Sequence, residues 1–101
     1  MQHAQLRIYR MEPGQLETFA REWREQIVPL RLKFGFTVVG GWTIREQDTF
    51  VWVVGHEDGA EAFAEADRAY RASPERSAMS PNPSRLILEQ DVREMDAVAG
   101  A

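Results

Sequence analysis

A histidine and a set of aromatic residues are the side chains of this sequence best suited to chemistry. His56 ends the run TFVWVVGH and is followed by the acids Glu57 and Asp58. Imidazole titrates closest to neutral pH, so His56 is the best candidate for proton transfer, and either acid could orient its ring. The competing interpretation is that His56 only ends a strand and contacts solvent or the start of a helix.

Five large aromatic residues could line a small-molecule pocket: Tyr9, Trp23, Trp42, Trp52 and Tyr70. Buried indole N–H and phenol O–H groups need hydrogen-bond partners, which a flat polar ligand would supply. Aromatic residues at strand or helix spacing are, however, usually core residues. A pocket and an aromatic core are therefore both open interpretations of these residues.

The sequence lacks the ligand pattern of a metal site. Its two histidines, His3 and His56, do not have the spacing that marks zinc or non-heme iron sites, and the chain has no cysteine. We therefore expect no metal and no cofactor. Heme is a less favoured alternative, because it needs only one axial histidine and an apolar slot. Gly40 and Gly41 lie inside a predicted strand, so they do not form a phosphate-binding loop.

Length and charge limit the classes of partner. A chain of 101 residues has the usual size of one domain, so residues 1–101 are expected to form a single core with a frayed tail over about 96–101. A net charge of −4 disfavours nucleic acids and anionic membranes as partners. No apolar run approaches the roughly 20 residues that span a bilayer, and none resembles a signal peptide, so a soluble cytoplasmic protein is expected.

Hydrophobic spacing predicts the first strand and the first helix. Residues 5–11 alternate as a strand, with Leu6 and Ile8 on one face and Arg7 and Tyr9 on the other. A helix follows from about residue 13 to residue 34, with an apolar stripe of Leu16, Phe19, Ala20, Trp23, Ile27 and Leu30. Pro13 is expected in its first turn, and Pro29 is expected to kink it near Gln26. Its opposite side, which includes Glu22, is expected to face solvent.

The stretch from Gly35 to Asp58 predicts a hairpin of two β-rich runs, FTVVGGWTI and TFVWVVGH, joined by REQD. If the two strands keep their parity, one face carries Phe36, Val38, Trp42, Ile44, Phe50, Trp52, Val54 and His56. The other face carries Val39, Val51 and Val53, so both faces are apolar and both need cover. Gly40 and Gly41 indicate either a bulge or room for a ligand, and the bulge is the favoured interpretation.

A second helix is predicted over residues 57–73, with Asp58 as its N-cap and Phe63, Ala66 and Tyr70 facing inward. A proline-rich loop and a last strand over 85–92 follow. The order β-α-β-β-α-β describes a ferredoxin-like α+β sandwich, a four-stranded antiparallel sheet with both helices on one face. A second copy of the chain is the simplest cover for the other apolar face, so we expect a homodimer that forms an α/β barrel.

Two runs of the sequence carry a resemblance to a known family: LRIYRMEPGQLETFAREWREQIVPLRLKFGFTVVGGWTI and FVWVVGHEDGAEAFAEADRAYRASPE. A first strand that ends near a tyrosine, a PG turn, a helix with Trp and a later Pro, and the pattern fGf.lvG.Wt resemble the NIPSNAP family of the dimeric α/β-barrel superfamily. Arg76 departs from the pattern, since the family often has an aromatic residue at this place. The resemblance implies the fold and a homodimer more than it implies an activity.

The resemblance also suggests what the fold is used for. Neighbouring families include cofactor-independent monooxygenases, heme-degrading monooxygenases and small isomerases or cyclases, which typically place a ligand between the helices and the sheet. Our first hypothesis is a homodimer that binds a small apolar or aromatic molecule there, with its activity unknown. The second is a cofactor-independent monooxygenase, isomerase or cyclase in which His56 moves a proton. The third is a structural or regulatory dimer without a ligand.

Overall fold

A computed structural model, which describes residues 1–100, contains one four-stranded antiparallel sheet with the helices packed on one side of it. The strands are β1 (His3–Met11), β2 (Thr37–Ile44), β3 (Thr49–His56) and β4 (Ile87–Asp96). The helices are α1 (Leu16–Glu22), α2 (Val28–Lys33), α3 (Ala60–Ala72) and the one-turn α4 (Pro74–Ser77). The strand order is β2-β3-β1-β4, which confirms the ferredoxin-like β-α-β-β-α-β architecture.

The first helical segment runs without a break from α1 to α2, and its backbone is irregular around Gln26, where Pro29 was expected to cause a kink. A π-helical turn, Trp23–Ile27, joins the two helices immediately before the proline, and its wider backbone accommodates a residue that has no N–H. Pro13 lies in a turn that precedes α1, so its predicted place in the first helical turn is wrong. Gly35 ends α2 with φ of +91°, as its position predicted.

A β-bulge in β2 changes which residues share a face. The pairing with β3 shifts between Val38 and Gly40, so that one extra residue enters β2. Trp42 pairs with Val51 and therefore lies on the opposite face from Trp52, which pairs with Gly41. The bulge predicted from the glycines is confirmed, but the predicted common face of Trp42 and Trp52 is wrong because the bulge breaks the parity.

Two further boundaries and the burial of one side chain differ from the expectation. The helix α3 begins after Gly59, whose φ is +99°, and Asp58 is not its N-cap. β4 extends to Asp96 because its polar second half pairs fully with β1. Glu22 is buried rather than solvated, since its two carboxylate oxygens accept hydrogen bonds from Arg85 at 2.7 and 2.8 Å. None of the helices within residues 1–100 is long and apolar enough to cross a lipid bilayer.

The two faces of the sheet have different surroundings. The helix-covered face carries the core, which includes Phe19, Phe36, Phe50, Trp52, Phe63 and Tyr70. The other face, called here the open face, carries Leu6, Ile8, Val39, Trp42, Val51 and Val53. Val39 and Trp42 are both 53% exposed in the single chain. The prediction that both faces of the hairpin are apolar is therefore confirmed.

Candidate functional site

A cavity of about 70 Å³ lies between the helical layer and the sheet, near the middle of β1 and β3. Its aromatic wall is formed by Tyr9, Trp52 and Tyr70, and its charged wall by Arg7, Arg31, Arg71 and Arg76. Strand alternation places Arg7 and Tyr9 on the same face of β1, and the pairing of β1 with β3 sets Arg7 beside Trp52. The site therefore combines buried aromatic rings with guanidinium groups.

Arg31 is the most enclosed charge in this site. Its side chain is 3% exposed, and its guanidinium carbon lies 3.9 Å from the ring centroid of Tyr70 and 4.7 Å from that of Phe36. Its Nη1 donates a hydrogen bond of 2.9 Å to Asp67. Burial, and next the positive charge of Arg7, lower the pKa of Arg31 from its usual value. The aromatic faces and Asp67 offset part of the cost of burying this charge.

Arg7 is nearly as buried, with 4% of its surface exposed, but it has no carboxylate partner in the described chain. Its three hydrogen bonds go to neutral oxygens, two to the side-chain oxygen of Gln5 and one of 2.9 Å to the hydroxyl of Tyr9. The residues that pair with it on the two neighbouring strands are Trp52 and Val92. Arg7 thus places a full charge in a wall without an anion opposite it.

The outer part of the cavity carries two further arginines. Arg71 donates a hydrogen bond of 2.8 Å to Asp67, which therefore bridges Arg31 and Arg71. Burial opposes ionisation of Asp67, but hydrogen bonds and charges from Arg71 and Arg31 outweigh it and lower the pKa of Asp67. Arg76 donates to the hydroxyl of Ser84 at 3.0 Å, again a neutral group. Of the four guanidinium groups, only those of Arg31 and Arg71 therefore contact a carboxylate within residues 1–100, and they share the same one, Asp67.

Several buried donors near this site lack a hydrogen-bond partner within residues 1–100: the indole N–H of Trp52, the indole N–H of Trp23 and the Nε–H of Arg31. Trp52 and Arg31 are part of the cavity wall, whereas Trp23 is not. A buried donor without an acceptor costs about 1–3 kcal/mol. Two of these donors belong to residues of the cavity wall, but both atoms are covered by protein atoms, so an acceptor would reach them only after a shift of the side chains.

The cavity contains three of the five predicted ligand-binding aromatic residues, Tyr9, Trp52 and Tyr70. Trp23 packs in the core, 5.0 Å from the ring of Phe50 and 5.8 Å from that of Trp52, centroid to centroid. Trp42 lies on the open face and cannot contribute to a site on the helix side, so its predicted place in this pocket is wrong.

His56 lies outside the cavity wall. It follows Trp52 by four residues along β3, a separation of about 13 Å at about 3.3 Å per residue. Its Nδ1 accepts a hydrogen bond of 3.1 Å from the backbone N–H of Asp58, and its ring packs edge-on against Phe36. Asp58 lies in the turn immediately before α3, so this contact is close to the start of a helix, which is where the competing interpretation placed His56. A catalytic role for His56 stays a prediction.

The described residues do not fit a heme or a metal. Heme would need an apolar slot beside His56, whereas the enclosed cavity lies some distance away, is lined by arginines and is far smaller than a porphyrin. Within residues 1–100, no three His, Asp or Glu side chains converge so that they could hold a metal ion. The chemistry available at the site is anion recognition, stacking and hydrogen bonding.

The arginines are the site residues that the sequence analysis missed, and two of them carried a signal. Arg31 follows Ile27 by four residues, which places it on the apolar stripe of the first helix. Arg7 shares its strand face with Tyr9. The contribution of Arg76 depends on the path of the proline-rich loop, and no local pattern in the sequence reports it.

Solved structures share this fold. The chain matches an uncharacterized NIPSNAP domain protein from Burkholderia xenovorans with a TM-score of 0.84 at 16% identity, over 98% of this chain and 97% of that one. It matches a NIPSNAP family protein from Agrobacterium tumefaciens str. C58 with a TM-score of 0.81 at 18% identity, over 94% and 91%. An antibiotic biosynthesis monooxygenase matches with a TM-score of 0.70 at 15% identity, over 96% and 99%. At these identities the likeness shows the fold alone.

No functionally curated protein matches the sequence. The model of the NIPSNAP family matches residues 4–99, which is nearly the whole chain. It covers both runs on which the resemblance was based, including the strands and helices that surround the cavity. The chain therefore belongs to the NIPSNAP family.

Proposed function

We propose that this protein is a cytoplasmic homodimer that binds a small molecule in the cavity between its helices and its sheet. The observation that carries the proposal is the pair of buried guanidinium groups in the cavity wall, Arg7 and Arg31, of which only Arg31 has a carboxylate partner within residues 1–100. The Nε–H of Arg31 and the indole N–H of Trp52, another residue of the wall, also lack an acceptor there. Each unsatisfied buried donor destabilises the fold, and a ligand with suitable acceptors would remove that cost.

The size of the cavity limits what enters it. A cavity of about 150 Å³ holds a benzene molecule, whereas this one measures about 70 Å³. It therefore suits a small polar group and not a complete aromatic ring. The ligand was expected to be largely apolar, and the guanidinium wall supports a polar group at its inner end instead.

Binding has better support than a purely structural role. A structural dimer without a ligand would gain stability from a core that pairs every polar group or replaces it with an apolar one. This core instead keeps Arg7 and Arg31 buried beside a cavity. The cavity wall thus favours ligand binding over the ligand-free alternative.

Catalysis has less support than binding. Proton transfer needs a group within hydrogen-bond reach of the substrate, and no histidine or carboxylate is among the described residues of the cavity wall. A monooxygenase, isomerase or cyclase that uses His56 would need a substrate that spans about 13 Å from Trp52 along the strand. Replacement of His56 by alanine is therefore expected to leave ligand binding unchanged.

The homodimer is supported by the open face. Leu6, Ile8, Val51 and Val53 form a continuous apolar surface across β1 and β3, and Trp42 adds to it from β2. Exposed apolar surface of this kind is a usual feature of protein interfaces. A symmetric pairing of two such faces would cover both at once.

Ligand binding is tested by native mass spectrometry of gently purified protein, followed by the same measurement under denaturing conditions. We expect an additional mass that is released on denaturation from the wild type and is lost from Trp52→Phe. The matched control is Trp23→Phe, because both indoles are buried without a partner but only Trp52 lines the cavity. Equal retention by both variants would place the ligand elsewhere and contradict the proposal. If the wild type carries no ligand and takes up none from a fragment library, the proposal is wrong.

The dimer is tested by light scattering coupled to size exclusion. Val39→Glu adds a charge to the open face, where the side chain is 53% exposed, and we expect it to give monomers. Leu32→Glu, in α2, is the control because Leu32 is 54% exposed on the helical layer. A monomeric wild type would contradict the homodimer and leave the ligand proposal standing.

A further inference from the structure

The cavity wall carries more positive charge than its surroundings neutralise. Arg7 and Arg31 are 4% and 3% exposed, and Asp67 is the carboxylate that serves Arg31. Asp67 is shared with Arg71, so it does not fully compensate either cation. The hydrogen bonds of Arg7 go to neutral groups. A buried cation without a counter-ion is costly unless a second anion binds beside it.

The two buried arginines converge on one aromatic ring. The guanidinium carbon of Arg7 lies 5.6 Å from the ring centroid of Trp52, and that of Arg31 lies 5.7 Å from the same centroid. Both side chains belong to the wall of the same cavity. The positive charge of Arg7 acts unfavourably on Arg31, and an anion bound in the cavity that both residues line would be attracted to both.

The donors at the site match the acceptors of an oxyanion. A guanidinium group presents N–H donors in a planar fork that pairs with two oxygens of a carboxylate or phosphate. The Nε–H of Arg31 and the indole N–H of Trp52 also lack a partner within residues 1–100, and a shift of the side chains that cover them would add both to the donors at the site. Donors outnumber acceptors in this wall, which disfavours a neutral ligand that brings donors of its own.

From these observations we infer that the cavity recognises an oxyanion, a carboxylate or phosphate group, held by Arg7 and Arg31 with Trp52 beside it. This inference rests on the proposed function and names the ligand class. The cavity of about 70 Å³ holds the anionic group. The rest of the ligand extends towards solvent past Arg71, whose side chain is 59% exposed. Arg76 stands at the same cavity and adds positive charge for the group as it enters.

The inference is tested by titration of 15N-labelled protein in a buffer free of phosphate and carboxylate, with the tryptophan indole signals as the readout. Trp52 reports on the cavity, and Trp42, on the other face of the sheet, is an internal control. The probes are acetate, its neutral counterpart acetamide, and inorganic phosphate. We expect a saturable shift of the Trp52 signal with acetate or with phosphate, at least about tenfold weaker binding of acetamide, and no shift of Trp42.

The two anions separate the two sources of the chemistry. Saturation by acetate alone assigns a carboxylate ligand, and saturation by phosphate alone assigns a phosphate ligand, so either result supports the inference. Acetamide that binds as tightly as acetate would overturn the oxyanion and leave a neutral ligand in the cavity. No response of Trp52 to either anion would also overturn it, while the retained mass in the native spectrum reports separately on the proposed function.

Two variants distinguish a direct contact between a cavity arginine and the anion from a general effect of the protein's positive charge. Arg7→Gln removes one cavity guanidinium and is expected to weaken anion binding at least about tenfold. Arg68→Gln, on the exposed side of α3, removes the same charge away from the cavity and is expected to change binding less than about twofold. If Arg7→Gln fails to fold, Arg76→Gln, whose guanidinium is less buried, gives the same comparison. Equal effects of the cavity and control variants would overturn the inference.

Discussion

Replacement of Arg7 by methionine tests whether Arg7 serves ligand binding or the stability of the fold. Arg7 is 4% exposed and makes three hydrogen bonds, to Gln5 and to Tyr9, so a structural role would predict a large loss of stability. Methionine has a similar reach, fills irregular space and carries no charge. The change therefore removes the buried charge and keeps most of the volume.

Two contributions of opposite sign determine the expected change in the free energy of unfolding. Loss of the guanidinium leaves the hydroxyl of Tyr9 without its donor, a cost of about 1–3 kcal/mol, while Gln5 is partly exposed and regains water. Removal of a buried cation that lacks a carboxylate returns several kcal/mol of desolvation energy. We expect the two to cancel within about 1 kcal/mol, equivalent to a shift in the melting temperature of less than about 8 °C.

Urea unfolding followed by tryptophan fluorescence measures this difference, in the phosphate-free and carboxylate-free buffer. The same measurement with the oxyanion at one hundred times the wild-type dissociation constant is expected to stabilise the wild type by about 2.7 kcal/mol. It is expected to stabilise Arg7→Met by at most about 1.4 kcal/mol, the value for binding that is tenfold weaker. A loss of more than about 3 kcal/mol without ligand would refute the reasoning, because Arg7 would then be required for folding. Equal stabilisation of both proteins by the anion would refute it as well.

Three further predictions concern stability and use the same unfolding assay. Asp67→Asn leaves Arg31 without its carboxylate and is expected to cost about 3–5 kcal/mol, with a loss below 1 kcal/mol contradicting the bridging role. The carboxylate of Asp96 raises the pKa of His3, so this contact stabilises the fold below about pH 6.5. Its contribution is lost as the pH rises through the raised pKa, and His3→Gln should therefore flatten the dependence of stability on pH. Gly41→Ala is expected to cost about 1–3 kcal/mol, because a Cβ there would lie 2.7 Å from buried aromatic rings; unchanged stability would show that the core yields.

The topology was predictable because each element carries its own period. β1 alternates, the first helix repeats every three to four residues, and the hairpin is marked by β-branched residues and a short polar turn. The details that failed depend on single residues. The extra residue in β2 between Val38 and Gly40 reverses the parity of the rest of the strand, so Trp42 turns to the open face. Two adjacent glycines indicate a bulge, but they do not show where in the strand the extra residue lies and therefore which face of the sheet each following residue occupies.

The candidate site was predictable in its aromatic part and not in its charge. Tyr9, Trp52 and Tyr70 follow from periodicity, because large aromatic residues on core-facing positions meet between helix and sheet. Arg7 is unusual because it is a buried cation that no carboxylate of the described chain faces. The absence of such a carboxylate depends on the register of β4, which sets Val92 beside Arg7. The register between two strands that are far apart in the sequence cannot be predicted from either strand alone.

β1 shows how one strand serves two surfaces. Leu6 and Ile8 point to the open face, and Arg7, between them, points into the cavity, because successive side chains of a strand alternate. A substitution at Leu6 should therefore change assembly without changing anion binding, and a substitution at Arg7 should do the reverse. The backbone of β1 pairs with both β3 and β4, so it is held on either side and transmits little of one change to the other face. If the two properties changed together in either variant, the ligand site and the dimer interface would have to be coupled through the sheet.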